Sequence, residues 1–134
     1  MADDITLTQK DLITRLLDNL PAGYTKAKVK KPNFKFTTPK NSKWLRATVI
    51  PFDTESNAAS GDHTITRGLF VVDILYPKES QDAAQLADAQ EIRTLYKSQT
   101  FGNTQCQMAS IETIGDSESF YIMQVNVNFY MAGF

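Results

Sequence analysis

Residues 120–131 read FYIMQVNVNFYM and form the clearest strand pattern in the chain. Successive side chains of a β-strand point to opposite faces of the sheet, so alternation of apolar and polar residues marks a strand with one buried side. The residues on the apolar face are Tyr121, Met123, Val125, Val127, Phe129 and Met131. The opposite face carries the amides of Gln124, Asn126 and Asn128. An apolar sheet face of this kind needs a covering layer, and the rest of the chain must supply it.

Three other segments predict the remaining strands. Residues 44–52 alternate, and residues 64–76 contain an almost wholly apolar run, which indicates burial on both faces over part of its length. Residues 105–114 precede the turn-forming sequence Gly115–Glu118 and predict a hairpin with residues 120–131. Between the first two strands, residues 53–63 are small and polar, which predicts a mobile loop that a partner orders.

Two helices provide the covering layer. Thr8 is predicted to cap the first helix, with Asp11 completing a capping box, and Pro21 and Gly23 end it. Its apolar stripe is Leu12, Ile13, Leu16, Leu17 and Leu20. The second helix is predicted from a cap at Ser80 to about Ser98. Its expected buried stripe is Leu86, Ala89, Ile92 and Tyr96.

The order of elements, α-β-β-α-β-β, defines the fold class. We predict an α+β fold with a mainly antiparallel four-stranded sheet and both helices packed on one face. A chain of 134 residues fits a single domain, 1–134. Within it, residues 1–43 contain the first helix and an extended basic segment, and residues 44–134 contain the sheet and the second helix.

The composition argues against an enzyme. Cys106 and His63 are the only residues of their kinds, so neither an internal disulfide nor a four-ligand zinc site can form. The sequence has no phosphate-binding loop and no nucleophile elbow. We therefore expect no catalytic, cofactor or metal site, and no apolar run is long enough to predict a membrane span. Asp62 and His63 in the polar loop, and Arg67 at its return, are instead candidate protein-interface residues.

The charge is unevenly distributed. Residues 26–46 carry eight of the fourteen basic residues and none of the fifteen acidic ones, so a net charge of −1 hides a segment of +8. The candidate interface residues here are Lys26, Lys28, Lys30, Lys31, Phe34, Phe36 and Arg46. Lysines interleaved with aromatic rings are typical of single-strand nucleic-acid binding. The segment matches no nucleic-acid motif, however, and we favour a lysine-rich arm that solubilises the protein or docks on an acidic protein surface, with at most transient, non-specific contact with DNA.

Several patterns together resemble a known family. An extended segment, Asn33–Pro39, precedes the strand Trp44–Pro51, and a polar loop leads into Thr66–Ile74. A helix rich in Ala and Asp, with Ala87 and Asp88 in its middle, is followed by a closing hairpin that ends in an aromatic strand. In these features the chain resembles the tail-terminator (minor tail protein U-like) family of long-tailed bacteriophages.

The resemblance implies a specific role. It implies a homo-oligomeric ring, expected to be a hexamer, that caps the tail tube, stops its polymerisation and provides the surface that joins the head. The implied partners are further copies of the chain, the tail tube protein and a neck or head-completion protein. The implied location is the virion tail, with assembly in the cytoplasm of the bacterial host. A related neck or head-completion protein and a nucleic-acid-binding domain are the alternatives.

Overall fold

The computed structural model describes residues 5–32, 35–39, 41–56, 64–78, 82–101, 104–117 and 119–133. The helices are α1 (Ile5–Asp18) and α2 (Asp82–Tyr96), and a short 3-10 helix spans Lys26–Lys28. The strands are β1 (Val29–Lys30), β2 (Trp44–Ser56), β3 (Thr64–Pro77), β4 (Thr100–Phe101), β5 (Thr104–Ser117) and β6 (Phe120–Gly133).

The described strands form one sheet in the order β1-β2-β3-β6-β5-β4. The four long strands are antiparallel neighbours, whereas β1 pairs parallel with β2. The α+β class with two helices is confirmed, but the prediction of a four-stranded sheet is wrong: the sheet has six strands, is mixed and curls. The two additional strands have two residues each, which is too short to leave a periodic signature in the sequence.

Two predicted loops are shorter than expected. Residues 53–56 pair with β3, so the loop prediction is wrong for them, and residues 57–63, which include Asp62 and His63, lie outside the described residues. The predicted turn at Gly115 is also wrong, because β5 continues to Ser117 through an irregularity between Thr113 and Gly115. Gly115 has φ +102°, a conformation that glycine adopts without steric cost.

The helix boundaries also differ from the prediction. Because α1 begins at Ile5, Thr8 is an interior residue, and its hydroxyl accepts a hydrogen bond of 3.2 Å from Thr104 Oγ1. The predicted cap at Ser80 lies outside the described residues. On α2, Leu86 is 45% exposed, so its predicted burial is wrong, and Gln85 is buried in its place. The Gln85 amide donates to the carbonyls of Ile74 and Tyr121, at 2.8 Å each.

The main core lies between the helices and one face of the sheet. Leu16 on α1 and Val125 on β6 are both fully buried there, as the two apolar patterns predict. The helices are also joined by polar contacts: the Tyr96 hydroxyl donates to the Leu12 carbonyl at 2.6 Å, and Arg15 Nε donates to the Leu95 carbonyl at 2.6 Å. A smaller cluster, Trp44, Leu75, Phe120 and Ile122, lies on the other face of the sheet, which we call the open face.

Candidate protein interface

Lys43, near the end of the basic segment, points into the fold. Its ammonium lies 3.1 Å from Asp88 Oδ2 and donates to the Ala22 carbonyl at 3.0 Å. It also lies 4.4 Å from the centre of the Tyr24 ring. A cation with a carboxylate, a carbonyl and an aromatic face around it is part of the internal structure. Lys43 therefore does not belong to a docking surface.

Asp88 is the centre of this arrangement. Its Oδ2 accepts hydrogen bonds from the Tyr24 hydroxyl at 2.8 Å, from Tyr76 and from Lys43. Burial and the bond to Asp88 raise the pKa of Tyr24, and the same two causes raise that of Tyr76. Burial alone would lower the pKa of Lys43, but its hydrogen bonds to Asp88 and Tyr76 outweigh burial and raise it. The network holds α2 to the segment after α1 and to the adjoining ends of β2 and β3.

Sequence reasoning did not identify this network. The three donors lie 64, 45 and 12 residues from Asp88 along the chain. No local spacing connects them, so only the topology of the sheet brings them together.

Arg46, a predicted interface residue, is also engaged within the chain. Its Nε lies 2.9 Å from Asp73 Oδ2, and Gln124 donates to the other carboxylate oxygen at 2.8 Å. The three residues are register neighbours on β2, β3 and β6, so they form a polar row across the open face. The Arg46 side chain remains 38% exposed, which leaves part of it accessible to a partner.

The lysines at the start of the segment lie at an edge of the sheet. Val29 is buried and fixes β1 beside β2, while Lys26 and Lys30 are exposed and Lys28 and Lys31 are half-buried. We call β1, the 3-10 helix before it and β2 up to Ile50 the basic edge. The exposed fraction of Ile50 is 42%.

The other predicted interface residues are distributed separately. Phe36 packs against Trp44, with ring centroids 5.1 Å apart, and so contributes to the small cluster on the open face. Phe34 lies outside the described residues, as do Asp62 and His63. Arg67 is exposed on β3, beside Asp53 on β2 and Tyr130 on β6. The structure thus brings the early lysines together but does not join them to Arg67.

The opposite edge of the sheet carries the opposite charge. Residues 98–134 contain no Lys, Arg or His, and Glu112 and Asp116 on β5 are exposed. Met108 and Ile114 on the same strand are 67% and 52% exposed. We call β5 with these four residues the acidic edge. Sequence reasoning missed the acidic edge. The two carboxylates and two apolar residues of β5 can be recognised as one surface only when the position of β5 near the end of the sheet is known.

No group of three metal-ligating side chains occurs among the described residues. Burial raises the pKa of the Cys106 thiol to about 12, which keeps it protonated and poorly nucleophilic at neutral pH. None of the helices in the described ranges is long and apolar enough to cross a membrane.

Comparison with known proteins gives a consistent result. The family model for phage tail terminator proteins matches residues 10–129. One solved structure is similar with 28% sequence identity and a TM-score of 0.65, over 93% of this chain and 96% of that one. No curated protein sequence matches.

Proposed function

Because the chain belongs to the phage tail terminator family, a family of structural proteins of the virion tail, we propose that it caps the tail tube. In this role it forms a homohexameric ring at the end of the tube, stops polymerisation and provides the surface that joins the head. The observation that carries the proposal is the family match over residues 10–129. The protein acts on the tail tube protein and on a neck or head-completion protein, and it assembles in the host cytoplasm.

The surface chemistry supports work done by binding. Among the described residues, four large apolar side chains are exposed. Ile50, Met108 and Ile114 lie on the two outermost long strands, β2 and β5, and Leu86 lies on α2. The charged residues flank these apolar positions on both edges. Apolar side chains with a polar rim are the usual composition of a protein–protein interface. A neck or head-completion protein would use the same chemistry, so the position of the ring on the tail distinguishes the two roles.

The decisive experiment is tube polymerisation. Purified tail tube protein is polymerised with and without this protein, and lengths and ends are measured by negative-stain microscopy. We expect shorter tubes with a six-fold ring at one end only. Tubes of unchanged length with bare ends would overturn the proposal, and rings bound only to the head portal would assign the protein to the neck.

Nucleic-acid binding is the second candidate, and the +8 charge of residues 26–46 favours it. Two of those cations, Lys43 and Arg46, are paired with carboxylates, and Phe36 is packed on Trp44. The lysines at positions 26, 28, 30 and 31 can neutralise roughly four phosphates, which gives a log–log salt slope of about −3 to −4 and a Kd weaker than about 10⁻⁶ M. Fluorescence anisotropy tests this: nanomolar binding at physiological salt would favour the nucleic-acid function.

A further inference from the structure

We infer that the basic edge of one copy of this chain binds the acidic edge of the next copy, head to tail. The inference rests on the proposed ring and identifies the surfaces that close it. It starts from the strand order, which places β1 at one end of the sheet and β5 with β4 at the other.

The two edges match in charge and in position. Strand pairing connects Lys30 on β1 to Glu112 on β5 through three residues, Arg46, Asp73 and Gln124. Lys30 and Glu112 therefore lie in the same row across the sheet. One row of the sheet therefore begins with an exposed cation and ends with an exposed carboxylate. If the sheet continued into a second copy along this row, Lys30 would face Glu112.

A second row repeats the match with apolar residues. Ile50 on β2 pairs with Leu69 on β3, and Leu69 pairs with Asn128 on β6. Asn128 lies opposite the irregularity of β5 between Cys106 and Ala109, which contains Met108. Ile50 is four residues from Arg46, and Met108 is four residues from Glu112. The charged and the apolar positions thus have the same separation along the strands on both edges, although Ile50 lies one strand further in than Lys30.

The outlines of the edges are complementary as well. The strand β1 extends the basic edge only beside Leu45 and Arg46. The strand β4 extends the acidic edge beside Thr104 and Gln105, in the rows that lead through β6 and β3 to Asp53 and Thr54 of β2. The chain just before β4 continues along β5, because the Ser98 N–H donates to the Gln107 carbonyl at 3.2 Å and the Cys106 N–H donates to the Gln99 carbonyl at 2.8 Å. The two edges therefore protrude in different rows, and the rows of Ala47, Thr48 and Val49 between them contain only the four long strands.

Strand direction allows this contact. The long strands alternate in direction across the sheet, so β5 of one copy runs antiparallel to β2 of the next. The two surfaces differ, which makes the contact heterologous, and a heterologous contact that closes on itself generates a ring.

Charge exchange tests the inference. One variant carries Lys26→Glu with Lys30→Glu, and a second carries Glu112→Lys with Asp116→Lys. In each variant the two substituted residues of one edge take the sign of the opposite edge, and like charges across an interface are strongly unfavourable. We expect each alone to self-associate at least about tenfold more weakly than the parent in sedimentation velocity at low and moderate salt. An equimolar mixture of the two should regain rings in which they alternate, and so should the chain with all four substitutions.

Matched controls place the same charge changes on residues that belong to neither edge. One control variant carries Lys10→Glu with Lys78→Glu, and the other carries Asp18→Lys with Glu91→Lys. All four residues are exposed, and they lie on the helices or beside the central strands. These variants should form rings as the parent does, and all variants should unfold at similar temperatures.

The outcomes separate this inference from the proposed function. Edge variants that form rings normally, a mixture that stays dissociated, or a parent chain that does not self-associate would each overturn the edge contact. Tube capping is measured separately. Edge variants that still cap tubes would therefore overturn the edge contact but leave the proposed capping function intact. Rings that obey the charge exchange but leave tubes uncapped would overturn the proposed function and retain the contact.

Discussion

The two faces of the sheet are stabilised in different ways. On the helix-covered face, Leu16 and Val125 are fully buried in one continuous apolar cluster. On the open face, Arg46, Asp73 and Gln124 are linked by hydrogen bonds across three strands, and the buried apolar cluster near Trp44 is much smaller. Burial of apolar area is the larger stabilising term, whereas partly exposed ion pairs contribute little. The covered face therefore determines the fold, and the open face can change without loss of it.

The largest expected effect comes from the covered face. Leu16→Ala should lower the free energy of unfolding by about 2–5 kcal/mol, because it removes a buried side chain and leaves a cavity. The matched change on the open face, Ile50→Ala, should stay within about 0.5 kcal/mol because Ile50 is already exposed. Urea unfolding of both variants measures the difference. Equal losses would contradict the division of stability between the two faces.

The sequence predicted the covered face well, and the reason is local. The alternation of residues 120–131 and the stripe of α1 are repeated short-range patterns, and Leu16 and Val125 are buried as those patterns require. The misplaced burial of Leu86 has a local cause too: the second helix is rich in Ala, so its apolar stripe is weakly defined and the neighbouring Gln85 faces the core.

The polar contacts and the edges were not predictable in this way. Lys43 and Lys30 belong to the same basic segment, yet Lys43 contacts Asp88 inside the fold and Lys30 lies exposed on an edge strand. Nothing in their immediate sequence distinguishes them, because the contact that fixes Lys43 is with Asp88, which lies 45 residues away along the chain. Likewise, Glu112 becomes part of an edge only through the pairing of six strands. The family resemblance, by contrast, could be recognised because it spans the order of all the main elements.

The second prediction concerns the polar network on the covered side. Asp88→Asn should lower the free energy of unfolding by about 1.5–3 kcal/mol, the usual value for hydrogen bonds to a charged group. The amide cannot neutralise Lys43, and it is a weaker acceptor for the Tyr24 hydroxyl. Glu91→Gln removes a carboxylate from the exposed side of the same helix and is the matched control. Thermal unfolding should distinguish them; a control that loses as much as Asp88→Asn would show that helix charge alone is responsible.

The third prediction is a loss of stability in alkaline solution. Burial raises the folded-state pKa of Cys106 from 9.0 to about 12, and burial with Asp88 raises that of Tyr24 above 10.0. A raised pKa means that the folded state retains a proton which the unfolded state releases first. These contributions are therefore complete below about pH 9 and are lost as the pH rises toward and beyond 12. Unfolding measured from pH 7 to 11 should show a plateau and then a fall, and Cys106→Ala should delay the beginning of the fall.

The smallest expected effect belongs to the open face. Arg46→Gln removes the ion pair with Asp73, but the bond from Gln124 to the other carboxylate oxygen remains. Because the Arg46 side chain is 38% exposed, solvent screens the pair, and the loss should be at most about 1 kcal/mol. The difference from the parent should shrink further in about 1 M salt, where the screening length is about 3 Å. A loss as large as that of Leu16→Ala would mean that the polar row, and not only the apolar core, determines the fold.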